Sequence, residues 1–459
     1  MTIGMAPGTT FGKTIRALEG LSAAKRFLVT LGERMPGENE DVARSVREIV
    51  ASVRTGGRAA LLSLREKFEG ISAHEPLTLG PDAFIALAEK APADVVAALR
   101  VSIDRVRRYH AIQVETTRTL TEEEDEPPSA ENPEEITAFS SRVQPLDAVA
   151  LYVPGGKAFY PSSVIMSAVP ALVAGVERIA VYTPGRSVSN PVFAAVIQLL
   201  GIKEVHAVGG AQSVAAAAFG VEGIARCDKI VGPGNVYVAT AKQQLAGRIG
   251  IDGFAGPSEI LVLGDGTSPA DWIAADLLAQ AEHDEEASAI LVTTSRDEAG
   301  AVAARIEALL PNLGEREPIA RASLARYGAI IVVNDRSELL EAANHIASEH
   351  LHIHTACALT HEGRAFWTRG LKGVGAIFLG RYTAESFGDY LAGPSHVLPT
   401  AGTARFASPL GVYDFVRRSS VLSLSSHKAR ALSAATDAFA RAEELGAHAL
   451  AARLRGEPR

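Results

Sequence analysis

Hydrophobic positions change their spacing along the chain. Between Glu40 and Val53 the apolar residues Val42, Val46, Ile49 and Val50 recur at steps of three and four, and this helical period, kept to about residue 115, predicts a mainly helical N-terminal region. From residue 146 short β-branched runs alternate with Ala/Leu-rich windows. The runs Ala148 to Val153, Arg178 to Tyr182, Glu204 to Val208, Lys229 to Val231, Glu259 to Leu263, Ala289 to Thr293, Ala329 to Val333 and Leu351 to His354 are nearly continuous in apolar residues. Strands covered on both faces of a parallel sheet read this way. About four βα units precede Ser258 and about four follow it, so the predicted class is α/β: two doubly wound, Rossmann-like parallel-sheet domains, a helical N-terminal region and an extended helical C-terminal tail. The expected division is a helical arm over 1–30, one α/β domain from 31–146 and 259–400, another from 147–258, and a tail over 401–459. A long terminal helix from Lys428 to Leu454, with no strand after it, is expected to pack on another domain or subunit.

At 459 residues the chain is too long for a single small core, and 47% hydrophobic with 21% charged residues is ordinarily globular. The net charge of -8 is concentrated: Glu122, Glu123, Glu124, Asp125, Glu126, Glu131, Glu134 and Glu135 lie together with no Lys or Arg between them. With Pro127, Pro128 and Pro133, the stretch 117–138 reads as an exposed loop or hairpin insert. The remainder is near neutral, so no basic face for nucleic acid is expected. Cys227 and Cys357 form no C-x-x-C, which excludes zinc-thiolate sites and fits a reducing compartment. The longest charge-free apolar window, Ser162 to Val176, is too short to span a bilayer, and the start lacks an apolar signal segment. A soluble cytoplasmic protein with no membrane partner is expected.

Residues able to do chemistry fall on different sheet edges. Tyr152-Val-Pro-Gly-Gly156, Gly209-Gly-Ala-Gln212 and Gly232-Pro-Gly-Asn235 each close a strand and open a helix, at the carboxyl edge where α/β sheets bind ligands. Such turns let a phosphate or a ring approach the backbone. No G-x-G-x-x-G is present. Ser258, the pair Gln280 and His283, and the pair Glu349 and His350 sit instead just before strands, at an amino edge. One site holds both sets if the two edges face each other across a cleft. Gln280 and His283 are i, i+3 on an expected helix Asp271 to His283 and converge on one face. With Asp389, His396 or His448 arriving from elsewhere, they make a nitrogen–oxygen donor set suited to Zn(II). Glu349 beside His350 offers two groups for proton transfer. His352 and His354 alternate with apolar residues and read as packed strand histidines, and both cysteines as inert thiols.

Several stretches, in order over about residues 146 to 454, resemble the histidinol dehydrogenase family: LYVPGGKAFYPSSVIMSAVPALVAGV, VGGAQSVAAAAFG, KIVGPGNVYVATAKQQLAGRIGIDGFAGPSEILVL, DLLAQAEHDEEA, ASEHLHI, GAIFLGRYTAESFGDYLAGPSHVLPT and AEELGAHALAARLR. The resemblance implies Zn(II) held by Gln280, His283, Asp389 and His448, with Glu349 and His350 as proton acceptors. It implies substrate contacts from Ser258, His396 and Glu443 besides His350 and the metal-binding residues, and NAD contacts from Tyr152, Gln212 and Asn235 in the 147–258 domain. The substrate would be L-histidinol and the assembly a homodimer, the tail carrying Glu443 and His448 to the partner. Ser348 stands where Pro is common in the family and Ser395 where Asn is usual. A related activity on another hydroxylated compound, such as a sulfonated propanediol, is the alternative; retention of His396 and Glu443 favours histidinol.

Overall fold

The computed structural model describes residues 14–32, 40–124, 136–155, 160–253 and 256–457. The chain divides into two compact units, Met1–Ile112 with Leu146–Phe415, and Gln113–Pro145 with Val416–Arg459. The first contains two six-stranded sheets. In one, Glu204–Ala207, Arg178–Thr183, Ala148–Tyr152, Lys229–Val231 and Gly250–Ile251 lie side by side in that order, all parallel, with Thr78–Leu79 added antiparallel beside the first. In the other, Ala329–Val332, Ser288–Thr293, Glu259–Gly264, His350–His354 and Ala376–Leu379 repeat the order, and Arg16–Glu19 extends the edge in parallel. Both sheets are doubly wound. The chain reverses its winding between Ala148–Tyr152 and Lys229–Val231 in one, and between Glu259–Gly264 and His350–His354 in the other, and such switch points are where these folds bind ligands.

All eight expected strands are present, with ends within one residue. Glu259–Gly264 and Ser288–Thr293 are buried at every position, the consequence of helices on both faces. Local chemistry sets the helix ends: Asn190 caps Pro191–Leu200 by accepting the amides of Val192 and Phe193, and Gly201 closes it in the left-handed conformation.

Three expectations change. Helix Glu40–Glu69 buries Val46, Val53 and Leu61 against Gly210–Phe219 and Val236–Leu245, and Leu99, Ile103 and Val106 of Ala93–Val114 join the same sheet's other core. Residues 40–112 therefore pack on the sheet of 148–251, not on that of 259–379; an amphipathic period shows that a face is buried, not against what. Arg16–Glu19 is a strand within the expected helical arm, its side chains alternating in and out of the sheet edge. The terminal helix is two, Ser426–Ala442 and Gly446–Gly456, separated where Glu444 takes φ 62°. The hairpin reading of 117–138 holds at its flanks: Leu120–Glu123 pairs antiparallel with Ala138–Pro145, and Val416–Ser423 adds a third strand on the other side, in the second unit. The flanks of the acidic stretch are thus a hairpin's strands; residues 125–135 lie outside the described residues.

Candidate active site

Both switch points open into one pocket of about 230 Å³. Gly232 and Pro233 enter it from the end of Lys229–Val231 and Asp252 from the end of Gly250–Ile251, while Ser258 and Glu349 enter from the starts of Glu259–Gly264 and His350–His354, and His396 completes it. A carboxyl edge and an amino edge meet here. Gly232 is obligatory: φ is 110°, and a Cβ would sit 2.2 Å from the carbonyl oxygen of Tyr152. Asp252 accepts the Gly232 amide at 2.7 Å and the Lys242 ammonium at 2.5 Å, and Lys242 donates to the Gly232 carbonyl at 2.7 Å. This buried clamp escaped the sequence reading, because nothing in the spacing of residues 232, 242 and 252 announces it.

Glu349 and His350 are both fastened to Glu259. The Glu259 amide donates to Glu349 Oε2 at 2.9 Å, and His350 Nδ1 lies 3.1 Å from the Glu259 carbonyl. A carbonyl only accepts, so Nδ1 carries the proton and Nε2 is the bare nitrogen. That nitrogen is buried and has no hydrogen-bond partner among the described residues. Burial holds the imidazole down to about 3, so it is neutral at physiological pH. Burial also lifts the Glu349 carboxyl well above the usual carboxylate range.

Glu385 and Asp389 stand one turn apart on helix Glu385–Tyr390. Their oxygens lie 3.6 Å from His350 Nδ1 and 3.9 Å from His350 Nε2 respectively. Burial pushes Asp389 up to about 6 and Glu385 well above its usual range, so the pocket favours any arriving cation. Glu385 was missed; its i, i+4 spacing to Asp389 was the available signal. Gln280 is fully buried at the end of Ala270–Ala281, with neither amide atom partnered among the described residues. Leaving such a group unpaired costs about 1–3 kcal/mol, so an amide in this position fits a ligand to a bound ion. His283 is not on that helix as expected but in the turn beyond it, exposed, where its amide donates to the Gln280 carbonyl at 3.2 Å. It is close enough for its charge to depress both His350 and His396. His396 donates from Nδ1 to the Asp389 carbonyl at 3.1 Å, and burial lowers it to about 4.

Tyr152, Gln212 and Asn235 line one larger cavity of about 1100 Å³. The turn Gly232–Asn235 joins the two cavities, its first residues facing the smaller and Asn235 the larger. The Asn235 side-chain oxygen also caps Val236–Leu245 by accepting the Tyr237 and Val238 amides, which leaves its NH2 group for a ligand. Glu69 accepts the amides of Gly185 and Gly209 at 2.9 Å each, so these two turns do not offer them to a phosphate. Gly156 lies outside the described residues. Ser395 is buried and donates to the Met166 carbonyl at 3.1 Å, and Ser348 to the His350 carbonyl at 2.9 Å; both hydroxyls support backbone. Glu443 and His448 belong to the second unit, where both are exposed.

Two doubly wound sheets, a cavity at each side of a glycine turn and a buried carboxyl–imidazole pair define an α/β enzyme of the dehydrogenase class. A family model described as histidinol dehydrogenase matches residues 33–456. The histidinol dehydrogenases of Methylococcus capsulatus and Pseudomonas aeruginosa are 45% and 44% identical, over 91% of this chain and 92% and 91% of theirs. A crystal structure of histidinol dehydrogenase from Elizabethkingia anophelis, 28% identical, superposes with a TM-score of 0.85 over 96% of this chain and 98% of that one. The chain belongs to the histidinol dehydrogenase family and is an NAD-dependent oxidoreductase. Among the described residues no helix is long and apolar enough to cross a membrane.

Proposed function

We propose that the chain oxidises L-histidinol through L-histidinal to L-histidine, with two NAD and a bound Zn(II), as a cytoplasmic homodimer. The observation that carries the reading is the fastening of Glu349 and His350 to one residue, Glu259, with Glu349 sharing a pocket with Ser258 and His396. Gln280, His283, Asp389 and His448 would hold the metal, and the orphaned amide of Gln280, on a helix packed against the one that carries Asp389, fits that use. When bound, zinc supplies a Lewis-acid anchor for the substrate's imidazole and amine, and NAD supplies the hydride acceptor.

The protein's own groups divide the remaining work. His350 takes the hydroxyl proton at bare Nε2 as the alcohol is oxidised, its Nδ1 held by Glu259. Glu349, lifted by burial, is a strong enough base to take a proton from the water that adds to the aldehyde. Ser258 and His396 hold the substrate, while Glu443 and His448, on the tail, complete the site of a second copy of the chain. Tyr152, Gln212 and Asn235 hold NAD in the larger cavity, across the Gly232–Asn235 turn from the reacting carbon.

The test is NADH formed per histidinol consumed, with zinc supplied and with zinc stripped. Two NADH per histidinol with histidine as product, abolished by chelation, is the expected result. No NADH from histidinol with folded, metal-loaded protein would move the assignment to another hydroxylated substrate.

A further inference from the structure

The histidines at 350, 352 and 354 point to one face of their strand, because side chains alternate. Only the first belongs to the site described above, through its bond to Glu259. The other two meet Asp276 from helix Ala270–Ala281, and all three are buried. His352 Nδ1 lies 2.8 Å from Asp276 Oδ2, His354 Nε2 lies 3.1 Å from the same oxygen, and the two nitrogens are 3.1 Å apart.

Counting protons shows that this cluster does not close with neutral rings. His352 Nε2 is 3.3 Å from the Gly380 carbonyl, which only accepts, so Nε2 carries the proton and Nδ1 turns a lone pair towards the carboxylate, a second acceptor. His354 has a single proton to give and cannot satisfy both. One further positive charge is needed at the centre, either a proton or a metal ion. Geometry accommodates the ion: a triangle with edges of about 3 Å sets all three donors about 2.0 Å from a point about 1 Å out of their plane, which is the bond length of zinc to imidazole and carboxylate. The Gly380 carbonyl then has the usual role of the outer partner of a ligating imidazole, fixing the tautomer that leaves Nδ1 for the metal.

We propose that Asp276, His352 and His354 bind a divalent first-row transition ion, zinc in the experiment below, at a second and structural site. Its donors are enclosed, so it braces rather than reacts. Asp276 stands one turn before Gln280 and His352 two residues after His350, so the ion ties together the two elements that carry them.

The test counts zinc per chain in zinc-loaded protein dialysed free of loose metal, for wild type, His354→Gln and Asp389→Asn. Two ions in wild type and one in each variant are expected. A count that His354→Gln leaves unchanged overturns the proposal and assigns the charge to a proton or the extra ion to another place. If His354→Gln does not fold, zinc-edge anomalous diffraction from wild-type crystals decides the matter: a peak among Asp276, His352 and His354 supports the site, and a peak beside Gln280 and Asp389 alone refutes it.

Discussion

His350 donates from Nδ1 to the carbonyl of Glu259 across 3.1 Å, and that bond decides which ring nitrogen can act. Nε2 keeps its lone pair, buried and unpartnered among the described residues, and burial keeps the ring neutral. The base is ready before any substrate arrives.

Replacing His350 by Asn removes the acceptor while keeping a polar side chain of similar reach. The expected loss in kcat for alcohol oxidation is about 10²- to 10⁴-fold, the usual contribution of a general base, with little change in KM. A loss confined to KM would place His350 in substrate binding alone.

The same ring leaves a signature in stability. Its folded-state value of about 3 lies below the ordinary 6.5, so between the two the unfolded chain binds more protons and stability rises with pH. The stability associated with neutral His350 is therefore intact above about 6.5 and lost progressively as pH falls towards about 3. Urea midpoints of metal-free wild type and His350→Gln should converge, or cross in favour of the variant, on acidification through that window. A difference that does not change with pH would contradict the burial argument.

Glu349→Gln separates the two oxidations. Aldehyde oxidation, which needs water added, should fall by about 10²-fold or more, while alcohol oxidation falls much less. Rates measured separately from histidinol and histidinal provide the comparison, and an equal loss in both would reject the assignment.

Lys242 and Asp252 are a buried ion pair, with side chains 4% and 8% exposed, so breaking it strands a charge. Lys242→Met should cost about 3–5 kcal/mol in urea unfolding, and Lys242→Met with Asp252→Leu should recover part of that loss. NAD affinity should stay weak in both variants, because the clamp on the Gly232 turn is gone. Wild-type NAD binding by the double variant would show that the clamp serves stability alone.

Gly232→Ala tests the turn itself. A methyl group 2.2 Å from the Tyr152 carbonyl, at φ 110°, must displace backbone, and a loss of at least about 2 kcal/mol with weakened NAD binding is expected. A variant with wild-type unfolding and NAD titration would mean that the turn yields freely.

Legibility in the sequence followed the range of the interaction. Strand placement was readable to within one residue because burial on both faces writes an unbroken apolar run. The pairing of Glu349 with His350 was readable because the two are adjacent. Gln280 and His283 were read as one helical face, yet the helix ends at Ala281 and only Gln280 is buried, since a polar helix end does not reveal where its last turn opens. His352 and His354 read as packed strand residues and are buried, but Asp276 lies 78 residues before His354 and no spacing links it to them.

By itself the sequence determined eight of the strands, the two doubly wound halves and the residue types able to do the chemistry, because periodicity, turn residues and side-chain reactivity are local properties. The tertiary structure decided which sheet receives residues 40–112, that a carboxyl edge and an amino edge share one pocket, and which nitrogen of His350 is bare. Each of these depends on contacts between segments tens to hundreds of residues apart, and only the folded chain brings such segments within hydrogen-bond reach.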